Sequence, residues 1–244
     1  MQLVGAVTPN SAPLLTPHGT VHAFSPLVGA PLAPGNIVAV YGANLALLTG
    51  VPNAVPLPTT VNGTQVIIGG IKAPLYFTSP GQVNAQIPYE LEPNKQYQVI
   101  VSANGALSTP EAIQLAAVMP GLAAYADGTV IGQHADGTLI SAKSPAKAGE
   151  TAIVYLSGLG VTDNNVASGG AAPGDTLAHP SSMPTLTIGG KDAKIAFVGL
   201  TPGLVGLYQM NFEVPAGIDA GNPQMKVTQE GASSAPVLIP YIPK

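Results

Sequence analysis

Cysteine, tryptophan and arginine are absent from this chain of 244 residues, and charged side chains make up only 8% of it. Without cysteine there is no disulfide framework, no thiolate nucleophile and no cysteine-based zinc site. All eight basic residues are lysine and the net charge is -4, so no basic stripe can neutralise phosphates, and nucleic acid is excluded as a partner. Aromatic residues amount to 5%, which works against the exposed ring platforms on which sugars usually stack. Low charge and a mean hydropathy of +0.34 raise the question of membrane insertion. No apolar run approaches the roughly 18 to 20 residues a spanning helix needs, because Gly, Pro, Asn or Thr interrupts each one.

What the chain has in abundance is punctuation. Its 29 Gly and 25 Pro forbid long helices and favour short strands joined by turns. The order of the punctuation then repeats. Gln82-Val83-Asn84-Ala85-Gln86-Ile87-Pro88 returns as Gln209-Met210-Asn211-Phe212-Glu213-Val214-Pro215. Gly35, Val40 and Tyr41 return 114 residues later as Gly149, Val154 and Tyr155. The hairpin signal Gly69-Gly70 returns as Gly189-Gly190, and Gly105-Ala106-Leu107-Ser108 as Gly231-Ala232-Ser233-Ser234. Two related segments of about a hundred residues imply two related folding units. The expected fold class is all-β, two tandem immunoglobulin-like β-sandwiches related by an internal repeat. The expected domains are an extended N-terminal arm over 1–22, a first sandwich over 23–117, and a second over 118–244 that begins with a β meander marked by two Ala-Asp-Gly-Thr turns.

The phrases Pro34-Gly35 through Tyr41-Gly42-Ala43-Asn44-Leu45, Ser79-Pro80-Gly81-Gln82 through Pro88-Tyr89, Tyr155-Leu156-Ser157-Gly158-Leu159-Gly160 and Tyr208-Gln209 through Pro215 resemble the Solibacter-type uncharacterised C-terminal domain family. The likeness spans roughly residues 21 to 240. It implies a C-terminal module of large secreted acidobacterial proteins and brings no activity with it. The first unit is also similar to an IPT/TIG immunoglobulin-like domain, a class that implies spacers, linkers and adhesive modules.

Candidate chemistry is sparse. Ser144-Pro145-Ala146-Lys147 matches the Ser-x-x-Lys pattern of penicillin-recognising enzymes but precedes a strand and lacks the companion motifs. Ser157 follows a strand without the leading glycine of a nucleophile elbow. His18 and His22 lie four apart beside Pro17 and Gly19, so no helix brings them together for a metal. His134 and His179 read as isolated turn residues. Asp127 and Asp136 read as turn formers rather than calcium ligands, and Asn62-Gly63 as a type I′ turn rather than a glycosylation sequon. The sequence therefore predicts no catalytic residue, no metal site and no cofactor, and the chain is not expected to be an enzyme.

Gln82, Asn84, Pro88, Gln209, Asn211 and Pro215 are expected to form a duplicated structural lock, with carboxamides bonding the backbone of an adjacent loop. Function is expected to be that of a non-catalytic bacterial extracellular or cell-surface structural and adhesion module, whose partners are other proteins or copies of itself. Filament assembly would follow if the apolar arm segment Leu3, Val4 and Val7, or the C-terminal run Val237 to Ile242, added a strand to a neighbour. The alternative is a carbohydrate- or surface-binding accessory module of a secreted protein. The start, Met1 to Val7, has neither the charged nor the continuous apolar region of a secretory signal, so export would use a leader already removed or another route.

Overall fold

The structure, a computed structural model, describes residues 11–243. These form twenty strands and no helix, in two sandwiches with separate cores. The arm segment Leu3 to Val7 lies outside the described residues.

The first sandwich contains β1 (Leu14–His22), β2 (Ile37–Ala43), β3 (Gln65–Ile68), β4 (Ile71–Lys72), β5 (Leu75–Thr78), β6 (Gln82–Gln86), β7 (Gln96–Ala103), β8 (Ala106–Leu107) and β9 (Glu111–Gln114). One sheet runs β1-β2-β6-β5 and the other β4-β3-β7-β8, with β9 pairing the start of β7 along the edge opposite β3. Residues 14–22, expected as part of an arm, are instead a strand of this sandwich. Leu14 pairs with Ala43 and His22 with Val38, because Leu15 and Val21 bury their side chains in the first unit. Between the sheets, Val38, Val40, Val66, Ile68, Val83, Val99 and Val101 are fully enclosed. The alternation along β7, with Val99, Val101 and Ala103 buried and their neighbours outside, is the period-two signature of a half-buried strand.

The second sandwich contains β10 (Gly121–Leu122), β11 (Gly132–His134), β12 (Ala146–Lys147), β13 (Thr151–Ser157), β14 (Thr185–Ile188), β15 (Lys191–Leu200), β16 (Tyr208–Glu213), β17 (Gln224–Gln229), β18 (Ala232–Ser233), β19 (Val237–Leu238) and β20 (Tyr241–Ile242). Strand β15 serves both sheets: Lys191 to Ala193 pair with β14, and Lys194 to Leu200 pair with β16. In the first unit the equivalent strand is split into β4 and β5 at Ala73-Pro74. Proline has no N–H for the ladder, so the chain changes sheet there with a break. Lys194 stands where Pro74 does, and the second copy runs through unbroken. Both copies carry the same bulge, at Tyr76 opposite β6 and at Ala196 opposite β16.

The turns follow the repeat as well. Gly69-Gly70 and Gly189-Gly190 are both left-handed at each position, as a two-residue type I′ hairpin requires, and so are Asn62-Gly63, Asn104-Gly105 and Glu230-Gly231. The C-terminal run is not a free donor strand. β19 pairs with β17, β20 pairs in parallel with β12, and Val237, Ile239 and Tyr241 are buried in the second core. A segment already buried against its own chain has no apolar face to offer a neighbour.

Candidate functional site: the duplicated amide pair and the junction between the sandwiches

In both copies the motif occupies the same central strand. Val83 and Ala85, like Met210 and Phe212, face the core, which puts Gln82 with Asn84, and Gln209 with Asn211, on the outer face. Gln82 Nε2 donates to Asn84 Oδ1 at 2.7 Å, and Gln209 Nε2 donates to Asn211 Oδ1 at 2.8 Å. The carboxamides therefore bond each other along the strand, and not the backbone of an adjacent loop as the sequence suggested. Two residues spaced by two on one pleat meet more cheaply than either can reach a loop. Tyr41 lies opposite Gln82 and Tyr155 opposite Gln209 in the ladder, so the tyrosines spaced by 114 flank equivalent amides.

Pro88 and Pro215 follow the last ladder contacts. Ile87 N–H donates to Asn36 O at 2.8 Å, and Val214 N–H donates to Glu150 O at 2.9 Å. A second duplicated clip had gone unassigned: Val101 N–H donates to Ser108 Oγ at 3.0 Å, and Val227 N–H donates to Ser234 Oγ at 3.1 Å. The repeated glycine-to-serine phrase carried that signal in the sequence.

The copies differ at the third polar residue of the motif. Glu213 is exposed, whereas Gln86 is fully buried and its Oε1 accepts the N–H of Gly169, in a loop of the second unit, at 2.7 Å. That bond belongs to a polar seam between the sandwiches. Ser157 Oγ, fully buried at the end of β13, accepts the N–H of Ile37 at 3.0 Å. Ser168 Oγ accepts the N–H of Tyr89 at 2.8 Å, Tyr76 donates its hydroxyl to Val205 O at 2.9 Å, and Leu57 N–H donates to Gly169 O at 2.8 Å. The bulge at Tyr76 is what turns that ring across the seam. Desolvation inside the seam pushes the Tyr89 phenol up to about 12 and raises Tyr76 further.

Close backbone approach makes these bonds reachable. A Cβ on Gly35 would overlap the ring of Tyr89, and one on Gly158 would overlap the Met119 carbonyl and the Asn36 side chain. Both glycines have positive φ.

His22 belongs to the same seam and does not converge with His18, which sits on the irregular stretch of β1 with φ 55°. The His22 ring is buried; Nδ1 accepts the N–H groups of Phe24 and Ser25 at 3.0 and 3.3 Å, and Nε2 donates to Ser157 O at 3.3 Å. Burial lowers its pKa to about 4, against backbone hydrogen bonds that act the other way. His179 Nδ1 bonds Val198 O at 2.7 Å, with its ring edge-on to Phe197. Asp127 and Asp136 accept the N–H groups of Thr129 and Thr138, both at 2.9 Å, and these bonds with Thr129 and Thr138 lower both carboxyl pKa values. Among the described residues no group of three or more His, Asp or Glu could hold a metal ion.

One grouping was not anticipated. Antiparallel pairing of β11 with β13 brings His134 beside Glu150, and the tight turn between Ser141 and Ser144 swings Ser144 to the other side of the same ring.

Residues 20–115 match the IPT/TIG domain family model. No curated protein matches the chain. Among solved structures, the chain is similar to the Bacteroides ovatus mixed-linkage glucan utilization locus SGBP-B in complex with a mixed-linkage heptasaccharide, at 12% identity and TM-score 0.38, covering 96% of this chain and 48% of that one. It is similar to the surface glycan-binding protein PbSGBP-B from Prevotella bryantii, at 12% identity and TM-score 0.30, covering 91% and 41%. It is also similar to domains 5-6 of the S-layer protein SbsC, at 10% identity and TM-score 0.30, covering 95% and 99%. The chain spans about half the length of the first of these and less of the second.

Proposed function

We propose that this chain is a non-catalytic bacterial extracellular or cell-surface module with a structural and adhesive role, composed of a first unit that takes in β1 and runs to residue 117, and a second unit over 118–244. The resemblance to the Solibacter-type family of secreted proteins supports the location. The observation that carries the reading is the polar seam. Gln86, Ser157, Ser168 and His22 each contribute a hydrogen bond that joins the sandwiches. Buried hydrogen bonds of this kind hold an orientation, since breaking any one strands a desolvated donor or acceptor. A stiff pair of sandwiches transmits force and sets distance, which is what a spacer or adhesive module requires.

Self-assembly is the finer part of the proposal. With the C-terminal run committed to its own core, the segment Leu3, Val4 and Val7 is the donor strand we assign, and the free side of β1 at the edge of the first sheet is a strand template. Removing residues 1–10 and following light scattering with electron microscopy tests it. Loss of assembly is expected; unchanged assembly overturns donation and leaves the structural reading standing.

A second reading, glycan binding, is favoured by one observation. Tyr125 is 47% exposed beside Phe24 on a groove of about 430 Å³ bordered by both sandwiches. A glycan array decides it: signal that disappears in Tyr125→Ala supports it, and no signal above background removes it.

A further inference from the structure

We infer that Ser144 is an activated hydroxyl, a site of covalent acylation by small activated esters or thioesters. His134 Nδ1 lies 3.0 Å from Glu150 Oε1, and His134 Nε2 lies 3.1 Å from Ser144 Oγ. In the tautomer whose Nδ1 proton bonds the Glu150 carboxylate, Nε2 carries a lone pair within reach of the Ser144 hydroxyl; the Ser144 carbonyl oxygen lies at the same 3.1 Å and favours the ring's other, Nε2-protonated forms. The ring and the carboxylate are held firmly: their side chains are 13% and 25% exposed. Ser144 itself is exposed, on a turn closed by reciprocal backbone bonds with Ser141 at 3.0 Å, so the nucleophile is presented to solvent while its base is shielded.

The three residues line one open cavity of about 380 Å³, together with Lys147 and Thr138. Lys147, three residues after Ser144, puts a cation on the wall of the same cavity, and Asp136 an opposing carboxylate. The expected step is attack of Ser144 Oγ on the acyl carbonyl carbon as its proton passes to His134 Nε2. The bond from that carbon to the leaving oxygen or sulfur then breaks, and the leaving group takes the proton back from Nε2. The products are a Ser144 ester and a free alcohol or thiol. The Ser144 carbonyl oxygen, 3.1 Å from Nε2, accepts the N–H while the proton is on the ring.

This goes beyond the structural reading and does not rest on it, because the acyl group is taken up once per chain as a modification of the module. The full chain is treated with p-nitrophenyl acetate, with phenolate release and peptide mapping as readouts. The expected result is one acetyl group per chain on Ser144, lost in Ser144→Ala and slowed about 100-fold in His134→Gln. Glu150→Gln, which acts through the ring, slows it at least about 10-fold, and Glu150→Asp recovers part of the rate. Melting curves of each variant confirm folding. Label found on lysine alone, label absent, or Ser144 label forming at the same rate in His134→Gln overturns the inference. The seam and its consequences stand under any of these outcomes.

Discussion

The Ser157 hydroxyl, at the end of β13, accepts the backbone N–H of Ile37, the first residue of β2, across 3.0 Å between the two sandwiches. The bond joins opposite ends of the two equivalent strands, the start of β2 and the end of β13, so it crosses the seam and does not belong to either ladder. Replacing Ser157 by alanine leaves the Ile37 N–H without a partner. A loss of about 1–3 kcal/mol is expected, read as a lower urea midpoint with the slope unchanged.

Gly158→Ala should cost more than Ser157→Ala. It combines a left-handed backbone with overlap against the Met119 carbonyl, and about 2–4 kcal/mol is expected. Gly128→Ala is the control, with a similar positive φ and open space around it, and about 1–2 kcal/mol is expected there. Thermal unfolding of both variants gives the difference.

His22 predicts an acid-sensitive seam. Its folded pKa of about 4 lies below the ordinary 6.5, so folding keeps the ring neutral while the unfolded chain takes up a proton more readily. The contribution is complete above pH 6.5, declines as pH falls, and reaches a loss of about 3 kcal/mol near pH 4. Denaturation at pH 7, 5.5 and 4.5 should show that decline, and His22→Gln should remove this share of it.

The amide pairs predict matched coupling. A double-mutant cycle on Gln82 and Asn84, and another on Gln209 and Asn211, should each give about 0.5–1.5 kcal/mol of interaction energy. Additive effects in both cycles would mean that the pairs are ornamental.

Much of the architecture was legible because turn chemistry and pleat alternation are local. Gly69-Gly70 and Gly189-Gly190 marked hairpins, and the alternation through Gln82 to Gln86 placed the amides on one face. What was illegible depends on contacts far apart in the chain. Ile37 and Ser157, or Gln86 and Gly169, leave no periodic trace of their meeting. The residues 14–22 were obscured by Pro13, Pro17 and Gly19, which suggest an arm although Leu15 and Val21 reach the core. His134, Ser144 and Glu150 come together through the register of β11 on β13, and a shift of one residue would have turned the imidazole to the other face.

The account rests on the two sandwiches forming one rigid body, and residual dipolar couplings measured on the intact chain in a dilute aligned medium test this directly. Alignment tensors fitted separately to residues 14–117 and 118–243 should agree in magnitude and in axes. Two tensors of different magnitude or direction would contradict it.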